Sequence, residues 1–368
     1  MNRKWITSVL SAVGLLALIL DSRTGFSAAQ EGITLCIQTL IPSMFPFFIL
    51  SMILTSAMAG QPIPLLRPLS KLCRIPEGAE SLLAIGFLGG YPVGAQNVLS
   101  SYHQGVISKE DVLRMAVFCN NAGPAFLFGY LGTLFDAPVY LWLLWLIHIV
   151  SALLVGWILP GGSNESISTV DSELLSMPHA LNQAIRVMAQ VCGWVILFRV
   201  FMGFLDRWLF WAFPDSVRIL LTGFLELSNG CVFLSQLPSQ GLRFIFASTL
   251  LGFGGICVNL QTRSISGSIH LSMYLPGKAF QGCISFLMTA FLQRFLPNSD
   301  PVSLKPLVLI FVGFSAIILL LILRKQEKPV AISQNLLYNQ ASCEKRRTIC
   351  SSERKSKNPA PTALSAQS

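Results

Sequence analysis

The sequence predicts an all-α polytopic membrane protein, with about 8–10 transmembrane segments in two pseudo-repeated halves that carry broken or re-entrant helices. Three observations predict it. Of the 368 residues, 53% are hydrophobic and only 12% charged, with a mean hydropathy of +0.62. Soluble domains carry roughly 25% charged residues. Apolar runs of the length that crosses a bilayer, about 20 residues, recur along the chain. Four further apolar runs are laced with Gly, Asn, Gln, Ser or Pro, which interrupt helices.

Taken in order, full-length spans are expected near 5–20, 33–58, 138–159, 181–205, 217–237 and 304–323. The shorter or interrupted runs lie near 81–100, 112–135, 243–261 and 268–292. This divides the chain into a first transmembrane helix with its following loop (1–29), a first half (30–160), a polar connector (161–179), a second half (180–323) and a basic tail (324–368). The run 5–20 is long for the apolar region of a signal peptide. It reads as an uncleaved helix, although Ser27-Ala28-Ala29 has the small residues of a cleavage site.

Charge sets the expected topology. Arg3 and Lys4 precede the first span, and Arg67, Lys71 and Arg74 follow the second. Both sets read as cytoplasmic. The connector "PGGSNESISTVDSELLSMPHA" has three acids and no Lys or Arg, and reads as extracytoplasmic. The tail from Arg324 holds nine Lys/Arg against three Glu, so it carries six of the net +9. It lacks an apolar period and reads as a disordered cytoplasmic segment, which leaves no charge signature for nucleic acid. Both termini are therefore expected in the cytoplasm, with a re-entrant hairpin tip at Gly89 to Gly94.

Chemistry-bearing motifs are sparse. The nine Cys have no C-x-x-C spacing, the four His are isolated, and H-E-x-x-H, Walker A and G-x-S-x-G are absent. No enzyme, metal or cofactor is expected.

The informative stretches are the broken ones. Aligning Gly89-Gly90 of "FLGGYPVGAQ" with Gly254-Gly255 of "GFGGICVNLQ" also matches Val93 with Val258 and Gln96 with Gln261. Backbone groups freed by Gly and Pro cannot face lipid, so they must be buried in protein or line a cavity. Breaks at corresponding places in two halves point to a midplane solute site. In "FCNNAGPAFLFG", Asn120 and Asn121 precede Gly123-Pro124. In "FLELSNG", Glu226 is the sole acid between Asp215 and Asp300, with Asn229 three residues on. An ionisable group at membrane depth marks a functional site by default. Glu226 is read as a proton or cation carrier, or as the ion-pair partner of Arg199. Lys278, after Pro276-Gly277, reads as an interfacial residue whose ammonium snorkels to water.

The motifs "GGYPVGA", "FCNNAGPAFLFG", "LELSNG" and "FGG" followed by Gln261 resemble the YlbJ-like sporulation integral membrane proteins and, more loosely, the nucleoside-recognition or gate-domain group. The resemblance spans about residues 30–320. It implies a multi-span protein of endospore-forming Firmicutes that moves a small solute, dipicolinate among the candidates, across a forespore membrane. The expected substrate site is Gly89, Gly90, Tyr91, Gln96, Asn120, Asn121, Arg199, Glu226, Asn229, Gly254, Gly255 and Gln261. Expected partners are the small solute and the lipid bilayer, with sporulation membrane proteins or a second copy of the chain as further ones. The alternative is a scaffold that assembles other membrane proteins during sporulation.

Overall fold

Helices carry the architecture, because a chain in hydrocarbon must satisfy its backbone N–H and C=O groups internally. The computed structural model describes residues 3–58, 61–162, 174–237, 239–296, 309 and 311–322, and no strand occurs among them. The chain is an all-α polytopic membrane protein. Its helical stretches Ser22–Met58, Pro138–Ile158, Met177–Trp208 and Gln240–Ile265 are each long and apolar enough to cross a membrane.

The N-terminal part is α1 (Arg3–Leu20), α2 (Ser22–Leu35) and α3 (Ile41–Met58), the last two joined by a π-helical turn at Cys36–Leu40. Residues 21–29, expected as a loop, are helical. Asp21 caps α2 by accepting from the Thr24 backbone N–H at 3.3 Å, and the small face Gly25, Ala28 and Gly32 then packs on α9 (Met177–Trp208). A Cβ on Gly32 would stand 3.1 Å from the Ile196 Cα. Close approach through small residues is how helices associate where lipid offers no hydrophobic drive.

Next come α4 (Arg67–Leu72), α5 (Glu80–Leu88), α6 (Val93–His103), α7 (Lys109–Phe118) and α8 (Pro138–Ile158). After α9 follow α10 (Asp215–Leu225), α11 (Leu227–Leu234), α12 (Gln240–Phe253), α13 (Gly255–Ile265) and α14 (Tyr274–Leu292). The last helix, α15, covers Phe311–Ile322. Residues 1–318 form one compact unit, so the two expected halves share a core. The other unit, 319–368, is described only over 319–322, and the basic tail 324–368 lies outside the described residues.

Two expectations are corrected, those for 217–237 and for the connector. The run 217–237 is two helices, α10 and α11, because Glu226 adopts an extended backbone (φ −144°, ψ 119°) between them. The run 268–292, expected as shorter or interrupted, is helical only over Tyr274–Leu292. Pro276 falls in the first turn of α14, where its missing N–H has no intrahelical partner to lose. The connector was read as lying opposite Arg74, yet its start sits on the Arg74 side. Arg74 Nη2 donates to the Trp157 carbonyl at 2.7 Å, and Arg114 Nη2 donates to the Cys73 carbonyl at 2.7 Å. Arg74 and the connector start therefore lie together, and the expected separation between them does not hold.

Each half then repeats one order, a helical hairpin followed by a broken rod. In the first half, ideal Cβ atoms on Gly86 and Gly94 would both meet the Cys119 carbonyl oxygen, at 2.4 and 2.0 Å. A straight helix would separate residues eight apart by about 12 Å, so α5 and α6 fold back at Gly89–Pro92. In the second, a Cβ on Gly230 would stand 2.1 Å from the Gly223 Cα, which folds α10 and α11 back at Glu226. The rods are α7 with the turns after Pro124, and α12 with α13. Neither rod folds back at its break. The aligned glycine pairs therefore occupy a hairpin tip in one half and a rod break in the other. They share a backbone task, since Gly90 and Gly255 have φ of +75° and +82°, a region closed to most side chains.

Candidate functional site

The two hairpin tips and two rod breaks meet in the middle of the core. Gly123 of the first rod packs on Gly90 of the first tip, 3.0 Å separating its would-be Cβ from the Gly90 Cα. Gly255 of the second rod packs on Leu227 N of the second tip in the same way, at 3.2 Å. Tyr91 links the halves. Its Oη donates to the Leu251 carbonyl at 3.0 Å, and its ring covers Gly254.

Between the tips lies a small cavity of about 30 Å³, lined among others by Met44, Tyr91, Gly123, Glu226, Ser228 and Gln261. That is room for about one water. Glu226 reaches it while capping α11. Its carboxylate accepts from Ser228 N at 3.0 Å, Asn229 N at 2.6 Å and Asn229 Nδ2 at 2.6 Å. The helix N-terminus and three donors hold a buried carboxylate without a cation. The expected Arg199–Glu226 pair is thus not formed. Arg199 binds Glu31 instead, through Nε at 3.0 Å and through Nη2.

Arg199 and Asn229 face a wider groove of about 600 Å³, whose other wall is a polar stripe of α2 and its π turn, Ser27, Gln30, Glu31, Thr34 and Gln38. The stripe has helical spacing, a signal present in "SAAQEGITLCIQT" that the search for breaks passed over. The tip at Glu226–Asn229 stands between the groove and the cavity, since Asn229 lines the first and Glu226 with Ser228 lines the second.

Behind the cavity is a buried polar network. Asn120 Nδ2 donates to Tyr274 Oη at 2.6 Å and to Thr262 Oγ1 at 3.1 Å, and its Oδ1 accepts from Ala95 N at 3.2 Å. Asn121 Nδ2 donates to the Phe118 carbonyl at 2.6 Å. Ala122 N donates to His148 Nε2 at 3.0 Å. These groups satisfy the backbone freed where α7 ends, as a break at membrane depth requires.

Lys278 completes the network and corrects the expectation that it snorkels, for it is fully buried. Its Nζ donates to the Asn120 carbonyl at 2.8 Å, Gln281 Oε1 at 2.7 Å and Asn121 Oδ1 at 3.3 Å, 5.1 Å from the Tyr91 ring centre. Sequence reasoning missed Lys278, Gln281, Tyr274, Thr262 and His148. The signal was there for α14: Tyr274, Lys278, Gln281, Ser285 and Thr289 recur at helical spacing and are all buried. Of the four amides expected to converge, Gln261 lines the cavity and Asn120 and Asn121 sit behind it. Gln96 stands apart, half-buried in α6.

Among the described residues no group of three or more His, Cys, Asp or Glu could hold a metal ion. No model of a known protein family matches the chain, and no solved structure is similar to it. A relative from Bacillus subtilis (strain 168), the sporulation integral membrane protein YlbJ, is 26% identical over 357 residues, covering 82% of this chain and 87% of the relative. The resemblance carried by "GGYPVGA" and "FCNNAGPAFLFG" thus extends over most of the chain, which is similar to the YlbJ-like sporulation integral membrane proteins.

Proposed function

We propose that the protein acts in the membrane during spore formation as a transporter or permeation gate for a small anionic solute. The membrane role in sporulation rests on the similarity to YlbJ. The observation that carries the transport reading is the meeting of two hairpin tips and two rod breaks around one small cavity beside a wider polar groove. Four breaks each free backbone groups that must find buried partners. They make physical sense where half-helix ends line a solute path. Of the three helices that start at the breaks, α11 is capped by Glu226 and α6 is served by Asn120, while α13 has no side-chain cap and its N-terminal end carries partial positive charge. An anion suits that end, and dipicolinate, implied by the family resemblance, is the first solute to try. No catalysis and no cofactor enter this reading.

The test is flux of labelled dipicolinate and other small carboxylates into liposomes holding the purified chain. Asn120→Ala with Asn121→Ala should cut flux at equal protein incorporation, and flux equal to that of empty liposomes for every solute overturns the proposal. A scaffold predicts otherwise: deleting 329–368 would abolish spore formation while the Asn120 and Asn121 changes left it intact.

A further inference from the structure

The Lys278 Nζ has three oxygens within hydrogen-bond distance, as many as an ammonium can serve. Asn121 gives its Nδ2 to the Phe118 carbonyl, and Gln281 gives its Nε2 to Asn121 Oδ1 at 3.1 Å and the His148 carbonyl at 3.5 Å. Both amide oxygens therefore turn to Nζ. The third oxygen is the Asn120 carbonyl. All three can only accept, and the three N–H groups of an ammonium would match them one to one. Among the described residues no carboxylate pairs with it.

The place matters as much as the charge. Asn120 and Asn121 follow directly on the C-terminal end of α7, where the helix carries partial negative charge. An unwound backbone carbonyl with side-chain oxygens at a half-helix C-terminal end is the setting in which membrane transporters hold a coupling cation. We propose that Lys278 is a built-in monovalent cation: its ammonium fills an oxygen-lined site that would otherwise take Na+ or K+. The chain then needs no free alkali cation to hold the first rod break closed against Tyr91. Resting on the transport reading, the further consequence is that solute flux runs without a Na+ or K+ gradient.

The test is thermal unfolding of the purified full-length chain in NaCl, KCl and choline chloride at equal ionic strength, choline being too large for the site. Wild type should melt at one temperature in all three. Lys278→Ala should melt lower in choline, with Na+, K+ or added methylammonium recovering roughly 3–6 °C saturably. Lys278→Met, which fills the space without charge, should stay low in every salt. The proposal is overturned if Lys278→Ala responds to no cation, or if wild type is saturably stabilised by Na+ or K+ over choline. The wild-type arm holds even if the variants fail to fold. Absent flux with these melting results would remove only the transport reading. A salt-blind Lys278→Ala with intact flux would remove only this one.

Discussion

Gly223 and Gly230 touch at their α-carbons: a methyl group on Gly230 would stand 2.1 Å from the Gly223 Cα and 2.7 Å from its N. Seven residues apart in sequence, they meet because Glu226 leaves the helix and reverses the chain. The same contact holds the tip that separates the groove from the cavity.

Gly230→Ala should therefore cost about 3 kcal/mol, since backbone and not a flexible side chain must give way. Gly193→Ala, where nothing lies within 4 Å, should be neutral or slightly stabilising in its helix. Melting temperatures of the two purified variants check the contrast. Equal values would mean that the hairpin does not close on its glycines.

Glu226 is bound to its own helix and Arg199 to Glu31, which makes their independence measurable. In double-mutant cycles on stability, Arg199→Ala with Glu31→Ala should show a coupling of about 0.5 kcal/mol or more, while Arg199→Ala with Glu226→Ala should add within about 0.5 kcal/mol. Glu226→Gln keeps an acceptor for the α11 N–H groups and should melt above Glu226→Ala, which loses a cap worth about 1–2 kcal/mol. Strong coupling between Arg199 and Glu226 would restore the ion pair expected from sequence.

Amides that looked equivalent in the sequence should separate. Asn120→Ala strips the Ala95 N–H, Thr262 and Tyr274 of a buried partner and should cost about 1–3 kcal/mol. Gln96→Ala, half-buried with its Oε1 unpartnered, should change stability by less than about 0.5 kcal/mol. Chemical denaturation of both variants decides this, and matched losses would put Gln96 in the network.

What the sequence could and could not convey follows from the physics of each signal. The breaks were readable because Gly89-Gly90-Tyr91-Pro92 and Asn120 to Pro124 violate helix propensity inside apolar runs, whatever they pack against. That one break is a hairpin tip and the other a rod break was not readable, because both need the same residues and differ only in what lies opposite. Lys278 misled for a related reason. Snorkelling and a three-oxygen cage both begin with a Lys after Pro-Gly, and only the register Tyr274, Lys278, Gln281, Ser285 tells them apart. Glu226 stands out in the sequence by its isolation, but two of its three hydrogen bonds come from backbone N–H groups, which no side-chain pattern displays.

We propose a topology from the hairpins. If α5 and α6 fold back, the first half passes the bilayer once less than two crossings would give. Residues near Lys71 and near Gly105 then lie on one side, with the connector start that Arg74 and Arg114 hold. This also gathers Arg67, Lys71, Arg74, Lys109 and Arg114 on one face, as the positive-inside rule asks of a cytoplasmic face. Three crossings, the first rod, α8 and α9, then turn the second half over relative to the first, the inverted arrangement of many transporters. Counting α1, the stretch Ser22–Met58, the two rods, α8, α9, α14 and α15 as crossings gives an even number, and the proposal is that both termini are cytoplasmic. On a background lacking its own cysteines, Lys71→Cys and Gly105→Cys should react with an impermeant thiol reagent from the cytoplasmic side only. Trp211→Cys, beyond α9 and 77% exposed, should react only from the opposite side. Labelling of Gly105→Cys from the side opposite to Lys71→Cys would show that the segment 81–100 crosses completely, and the re-entrant tip at Gly89 to Gly94 would be wrong.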